Sequence, residues 1–145
     1  MLGGEYKHNL DTKNRIFVPA KLREELGETF IIAKATREPC LKMYSQEGWR
    51  ECLAPLLNDA KKLSEKKLAD RIIRYLHASM VQVTPDSQGR VVLPPELVGH
   101  AKIEKNVTIV GCYDHAELWS EAEYNAMKAD EDVEKLLDQL EALGL

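Results

Sequence analysis

A nine-residue pattern that occurs twice constrains this chain more than anything else in it. Asp11-Thr12-Lys13-Asn14-Arg15-Ile16-Phe17-Val18-Pro19 lines up with Asp86-Ser87-Gln88-Gly89-Arg90-Val91-Val92-Leu93-Pro94, an offset of 75 residues. Asp, Arg and Pro are identical, and the three residues between Arg and Pro are apolar both times. Leu41–Ser45 falls on Ala116–Ser120 at the same offset, and Trp49 then falls on Tyr124. Two distant anchors with one offset mark a tandem duplication, so the fold must be read as two copies of one unit.

Each copy predicts the same elements. An alternating strand (Tyr6, His8, Leu10; then Val81, Val83) enters a polar turn whose fourth position is Asn14 or Gly89, residue types that tolerate positive φ. The apolar triplet is a second strand. Proline stops it and opens a short helix, Ala20–Leu26 or Pro95–Val98, each ended by glycine at Gly27 or Gly99. Two further strands follow, Phe30–Ile32 with Leu41–Tyr44 and Val107–Val110 with Ala116–Trp119. Ser45 and Ser120 suit helix N-caps. The connector 46–78 carries Leu63, Leu68, Ala69, Ile72, Ile73 and Leu76 at helical spacing, predicting one or two amphipathic helices. Val133, Leu136, Leu137, Leu140 and Leu143 predict another in the tail. A β-unit of about 45 residues buries too little apolar surface to stand alone. The expectation is therefore an α+β chain whose units interleave into one core: unit 1 at 5–47, a helical connector at 48–79, unit 2 at 80–123, and an acidic helical tail at 124–145.

Charge separates these parts. Residues 114–145 hold ten acidic groups against Lys128 and Lys135, whereas 7–23 set Lys7, Lys13, Arg15, Lys21 and Arg23 against Asp11 alone. The chain's net charge of −4 thus hides a basic N-terminal stretch able to meet phosphates. No apolar run approaches the ~18 residues of a membrane span. The opening residues lack a secretory pattern, and three cysteines are too few for a disulfide framework. A cytoplasmic chain is expected.

Asp-x-x-x-Arg, an apolar triplet and proline, occurring twice around a helical connector, resembles the MraZ family, a single-chain doubling of the AbrB-like swapped-hairpin fold. Gly4-Glu5-Tyr6, the stretch Asp11–Glu24, Cys40-Leu41, Gly89-Arg90 and Glu117-Leu118-Trp119 carry the resemblance, which spans roughly residues 1–124. It implies a nucleoid-associated bacterial transcription regulator of the division and cell-wall gene cluster. Such a protein would assemble into rings, bind repeated short promoter boxes in duplex DNA, and need neither membrane nor small-molecule substrate. One departure stands out: the family's Asp-x-Lys-Gly-Arg has Asn14 in place of its glycine.

Arginine at a turn end suits guanine O6 and N7 or a phosphate, and the aspartate four residues earlier can orient it. Arg15 and Arg90 are accordingly candidate DNA-binding residues, with Lys13, Asn14, Lys21, Arg23 and Lys7. Asp11, Asp86 and Gly89 are candidate turn braces. Both Asp–Arg pairs can equally be purely structural. The second half is weaker, since Gln88 and Glu96 replace the basic residues of the first. Cys112-x-x-His115 has metal-like spacing but too few partners, and reads better as a strand-end cysteine. His8 reads as a half-buried strand residue, His77 and His100 as solvated, and Trp49 and Trp119 as core anchors. No catalytic constellation appears, so neither enzyme nor cofactor is expected. The rival class is an AbrB-fold antitoxin or protein-interaction scaffold.

Overall fold

The computed structural model describes residues 1–59 and 63–145. The first repeat runs β1 (Glu5–Asn9), β2 (Arg15–Phe17), α1 (Ala20–Leu26), β3 (Phe30–Lys34) and β4 (Cys40–Ser45). The connector forms α2 (Gln46–Asp59) and α3 (Leu63–His77). The second repeat gives β5 (Val81–Val83), β6 (Arg90–Val92), α4 (Pro95–His100), β7 (Asn106–Gly111) and β8 (Ala116–Ser120), followed by α5 (Glu121–Ala129) and α6 (Val133–Ala142). Among the described residues, no helix is long and apolar enough to cross a membrane.

The repeats exchange strands. The six-stranded sheet has the order β1-β7-β8-β4-β3-β5, so each repeat lends its first strand to the other's sheet half. The second strands, β2 and β6, pair with each other as a separate two-stranded ribbon. Everything is antiparallel, and an approximate two-fold passes between β4 and β8. Leu41 pairs with Leu118 there, and Met43 with Ala116.

One core lies between ribbon and sheet. Ile16 and Val91, Val18 and Leu93, Leu22 and Leu97, Leu26 and Ala101, Met43 and Leu118 are buried in it, each pair at the repeat offset. A buried side chain of this size contributes about 1.5–3 kcal/mol, which neither half could assemble alone. Helices α2, α3 and α5 cover the sheet's other face. There the duplication repeats an aromatic pair. Tyr44 meets Trp49 at 5.4 Å and Trp119 meets Tyr124 at 6.0 Å, both with rings inclined at 60°. Ser45 Oγ accepts from the Gly48 N–H at 2.9 Å and Ser120 Oγ from the Glu123 N–H at 3.1 Å, so both expected caps are present.

Two expectations need correction. The second helix does not end at Gly99: α4 runs on to His100, and Lys102, with φ 55°, takes the left-handed position that Gly27 holds at φ 91°. The chain then spends two extra residues before β7. Phe30 pairs with Val83 and Val107 with His8, which places β7 at an offset of 77 from β3. His77 is not solvated, because its Nε2 accepts from Trp49 Nε1–H at 3.0 Å and its Nδ1 lies 2.9 Å from the Ile73 carbonyl. The tail helix α6 forms as its periodicity predicts, and none of its residues is buried. The Leu63 side chain, expected on the connector's apolar stripe, lies outside the described part.

Candidate nucleic-acid interface

Both repeat turns are built alike, and the local chemistry explains why. Asp11 Oδ1 accepts the backbone N–H groups of Lys13 at 2.9 Å and Arg15 at 2.8 Å, closing an Asx-type turn. Asp86 Oδ1 does the same for Gln88 and Arg90, both at 2.9 Å. The fourth residue of each turn crosses into the left-handed region, Asn14 at φ 57° and Gly89 at φ 80°. Asn is the non-glycine type most at ease there, so the departure from the family pattern leaves the turn intact.

Each aspartate also takes its arginine side-on. Arg15 Nε donates to Asp11 Oδ2 at 2.7 Å, and Arg90 Nε to Asp86 Oδ2 at 3.0 Å. The contact runs through Nε, so the two terminal amino groups of each guanidinium are not spent on it. The guanidinium is therefore folded along its turn rather than standing clear of it, while its outer edge keeps the donors that a guanine needs. The Arg15 N–H, with the guanidinium behind it, holds the Asp11 carboxyl below the ordinary range, and the Arg90 N–H does so for Asp86.

The turns are tied to the opposite repeat. Leu93 N–H donates to the Asn14 carbonyl at 2.8 Å, and Val18 N–H to the Gly89 carbonyl at 2.9 Å. Arg15 pairs with Val92 and Phe17 with Arg90 across the ribbon. Side chains alternate along a strand, so these four share the outward face while Ile16 and Val91 point into the core. Val92 and Phe17 went unread at the level of sequence because the triplets look uniformly apolar. The signal was strand alternation, which turns the middle residue of each triplet outward between two buried ones. Val92 is 57% exposed in the middle of this face.

The flanking cations differ. Lys13 and Lys21 are exposed at the turn apex and on α1. Arg23 is half-buried: its Nε donates to the Val18 carbonyl at 2.8 Å and its guanidinium lies 5.8 Å from the Phe17 ring centre. It packs beside Gly89, where an added Cβ would come within 3.0 Å of the Arg23 Cζ. Lys7 is not brought to this face. It alternates with Tyr6 and His8 on β1 and points with Glu5, whose carboxylate accepts from Tyr124 on α5. His8 instead packs edge-on against Phe17 at 4.9 Å. On the second repeat, Glu96 occupies the place of Lys21 and pairs with Lys34 at 2.8 Å. The ribbon thus carries two equivalent arginines in a field that is more basic at the first repeat.

A swapped pair of repeats, each with an aspartate-oriented arginine at the head of the ribbon strand, is matched by one family model. Its description reads "MraZ protein, putative antitoxin-like", and it covers residues 1–72 and 76–142. The chain belongs to the MraZ family. Relatives named Transcriptional regulator MraZ share its full length: that of Caldicellulosiruptor saccharolyticus is 40% identical over 148 residues. Those of Thermoanaerobacter sp. and Clostridium tetani are 38% and 37% identical, each over all of both chains. In this MraZ chain the match extends through the acidic tail, beyond the stretch that the sequence motifs alone had covered.

Proposed function

We propose that this MraZ chain is a sequence-specific duplex-DNA-binding transcription regulator that grips DNA with the outward face of the β2–β6 ribbon. The observation that carries this reading is the pair Arg15 and Arg90, diagonal to one another on one face of the ribbon and each oriented by its own aspartate. The major groove of B-DNA admits a two-stranded β-ribbon, and a guanidinium edge matches guanine O6 and N7. Lys13 and Lys21 then meet phosphates, with Arg23 holding Phe17 and the Gly89 turn in place between them. Asn14 and Gly89 supply the turn backbone. The names of the relatives support the regulatory role, and the family resemblance supports the division and cell-wall gene cluster, own promoter included, as its target.

The chain works as an assembly of copies in this reading. The exposed stripe Val133, Leu136, Leu137 and Leu140 on α6 is between 42% and 56% exposed and flanked by Glu134, Asp138 and Glu141. Helix α3 shows the opposite charge around Leu68 and Tyr75, with Lys67, Arg71 and Arg74 beside them and Tyr75 74% exposed. An acidic apolar face on one copy and a basic apolar face on the next make a head-to-tail contact, which closes into a ring when the rotation allows. Repeated boxes in a promoter would then be engaged together. The test is salt-dependent binding to the chain's own upstream region against a random duplex of equal length. Equal affinity for both would remove the specific reading. The antitoxin or scaffold reading has one observation in its favour, the uncovered α6, and predicts a protein partner with no salt-dependent DNA binding.

A further inference from the structure

On the face of the sheet opposite the arginine ribbon, the β7–β8 hairpin gathers a side-chain set that the DNA-binding reading does not use. Cys112, His115 and Glu117 place their ligand-type atoms within 4.8 Å of one another. Spacing alone leaves Cys112 and His115 short of partners, and the fold supplies the third. The hairpin closes tightly, with the Cys112 N–H donating to the His115 carbonyl at 2.7 Å, so residues 112 and 115 stand side by side. The alternation of β8 then puts Glu117 on the face of His115.

We propose that Cys112, His115 and Glu117 form a three-ligand site for zinc or a similar thiophilic divalent cation, with a water completing the tetrahedron. The outer partners are arranged as they are around metal ligands. His115 Nδ1 lies 2.7 Å from Asp114 Oδ1; an ionised carboxylate only accepts, so Nδ1 carries the hydrogen and Nε2 is left as the ligand atom. Trp119 Nε1–H donates to Glu117 Oε1 at 3.1 Å, turning Oε2 toward His115. Tyr44 stacks on the imidazole at 5.4 Å and fixes its plane.

The distance between the facing atoms agrees with a shared cation. His115 Nε2 and Glu117 Oε2 are 3.4 Å apart, longer than a good hydrogen bond. A tetrahedral centre with bonds of about 2.0–2.1 Å has ligand–ligand edges of about 3.3–3.4 Å. The Cys112 thiol points at the Val110 carbonyl, 3.6 Å away, and must turn from it toward His115 and Glu117 to close on the metal. Binding through sulfur requires the thiolate, so metal capture releases the Cys112 proton to solvent. Lys42, paired across the ladder with Glu117, brings a like charge that weakens the site. His115 and Glu117 remain 16% and 18% exposed, which gives the cation and its water an entry path.

The experiment is a Co2+ titration of the reduced full-length chain carrying Cys52→Ser, which removes the exposed thiol. One equivalent should produce tetrahedral visible bands and a near-ultraviolet thiolate-to-cobalt band, both displaced by Zn2+. Adding Cys112→Ser should abolish the near-ultraviolet band, and Glu117→Gln should weaken binding by tenfold or more. Asp114→Asn, which leaves all three ligands in place, should weaken it about 10- to 100-fold. Zn2+ should raise the melting temperature of the parent and not of the Cys112→Ser chain. A thiolate band that persists without Cys112, or its absence at millimolar Co2+ in a folded parent, overturns the site. DNA binding is a separate readout on the other face of the sheet, so its loss leaves this result standing.

Discussion

Arg15 and Arg90 stand on one face of the β2–β6 ribbon, each opposite the apolar residue two places beyond the other. The relationship follows from the duplication. A residue at the head of β2 and its counterpart at the head of β6 must share a face once the two strands pair antiparallel in this register. Buried Ile16 and Val91 fix that register, because a one-residue slip of either strand would turn its arginine into the core.

Lys21 is exposed and contributes to the fold only through α1. Lys21→Ala should weaken binding to specific and random duplexes alike and make the salt slope shallower by about one unit, with melting unchanged. Arg23→Ala should also lower the melting temperature, since it removes the bond to the Val18 carbonyl and the cover over Phe17. Fluorescence anisotropy over a salt series, beside thermal melts, separates the two.

The fourth turn position tests backbone strain directly. Gly89→Ala introduces a Cβ within 3.0 Å of both Phe17 and Arg23 at φ 80°, and should lower stability by about 1–3 kcal/mol. Asn14→Gly, at φ 57°, should stay within about 1 kcal/mol of the parent, because relief at the turn is offset by entropy in the unfolded chain. Urea unfolding of the two variants reads the difference.

Acid should loosen both turns together. Asp11 and Asp86 have carboxyls lowered by the hydrogen bonds of the folded turn, from an ordinary value of 3.8. A lowered folded value means that their stabilisation is complete above the unfolded value and is lost as pH falls through the folded one. The melting temperature of Asp11→Asn/Asp86→Asn should therefore lie below the parent's at neutral pH and approach it as pH drops below 3.8. A gap independent of pH would remove the ionised carboxylates from the turns.

Removing residues 131–145 should lower the mass in solution while leaving each chain folded, because no residue of α6 is buried in its own protomer. Affinity for DNA with several spaced boxes should fall by roughly 10²–10⁴, and affinity for a single box far less. Analytical ultracentrifugation with a box-number titration checks both. An unchanged mass would detach α6 from assembly.

The sequence is informative about this fold where one residue type has one use. Positive φ at Asn14 and Gly89, the caps at Ser45 and Ser120, and the burial of Trp49 and Trp119 as core anchors all follow from residue type plus the repeat. What it hides are relations set by partners. Periodicity marks α6 as amphipathic without saying what covers it. Gly99 looks like a helix stop, yet the positive-φ residue after the helix is Lys102, at the repeat offset from Gly27, a position that residue type does not flag. Arg23 counts as basic in sequence and turns out to be spent on Val18 and Phe17. Lys7 sits in the same basic run as Arg15, yet alternation along β1 sends it to the other face of the sheet. His77 looks solvated at a helix end until Trp49, 28 residues earlier, donates to it.

Arg15→Lys tests the central claim most directly, since lysine keeps the charge but has no planar fork for Asp11 or for guanine. Binding of parent and variant would be compared on the chain's own upstream region and on a random duplex, with mass and dichroism confirming the fold. The variant should lose about 1–3 kcal/mol on the specific site, keep its affinity for random DNA and retain its salt slope. A folded variant that still prefers the specific site as strongly as the parent would contradict base reading by the ribbon arginines.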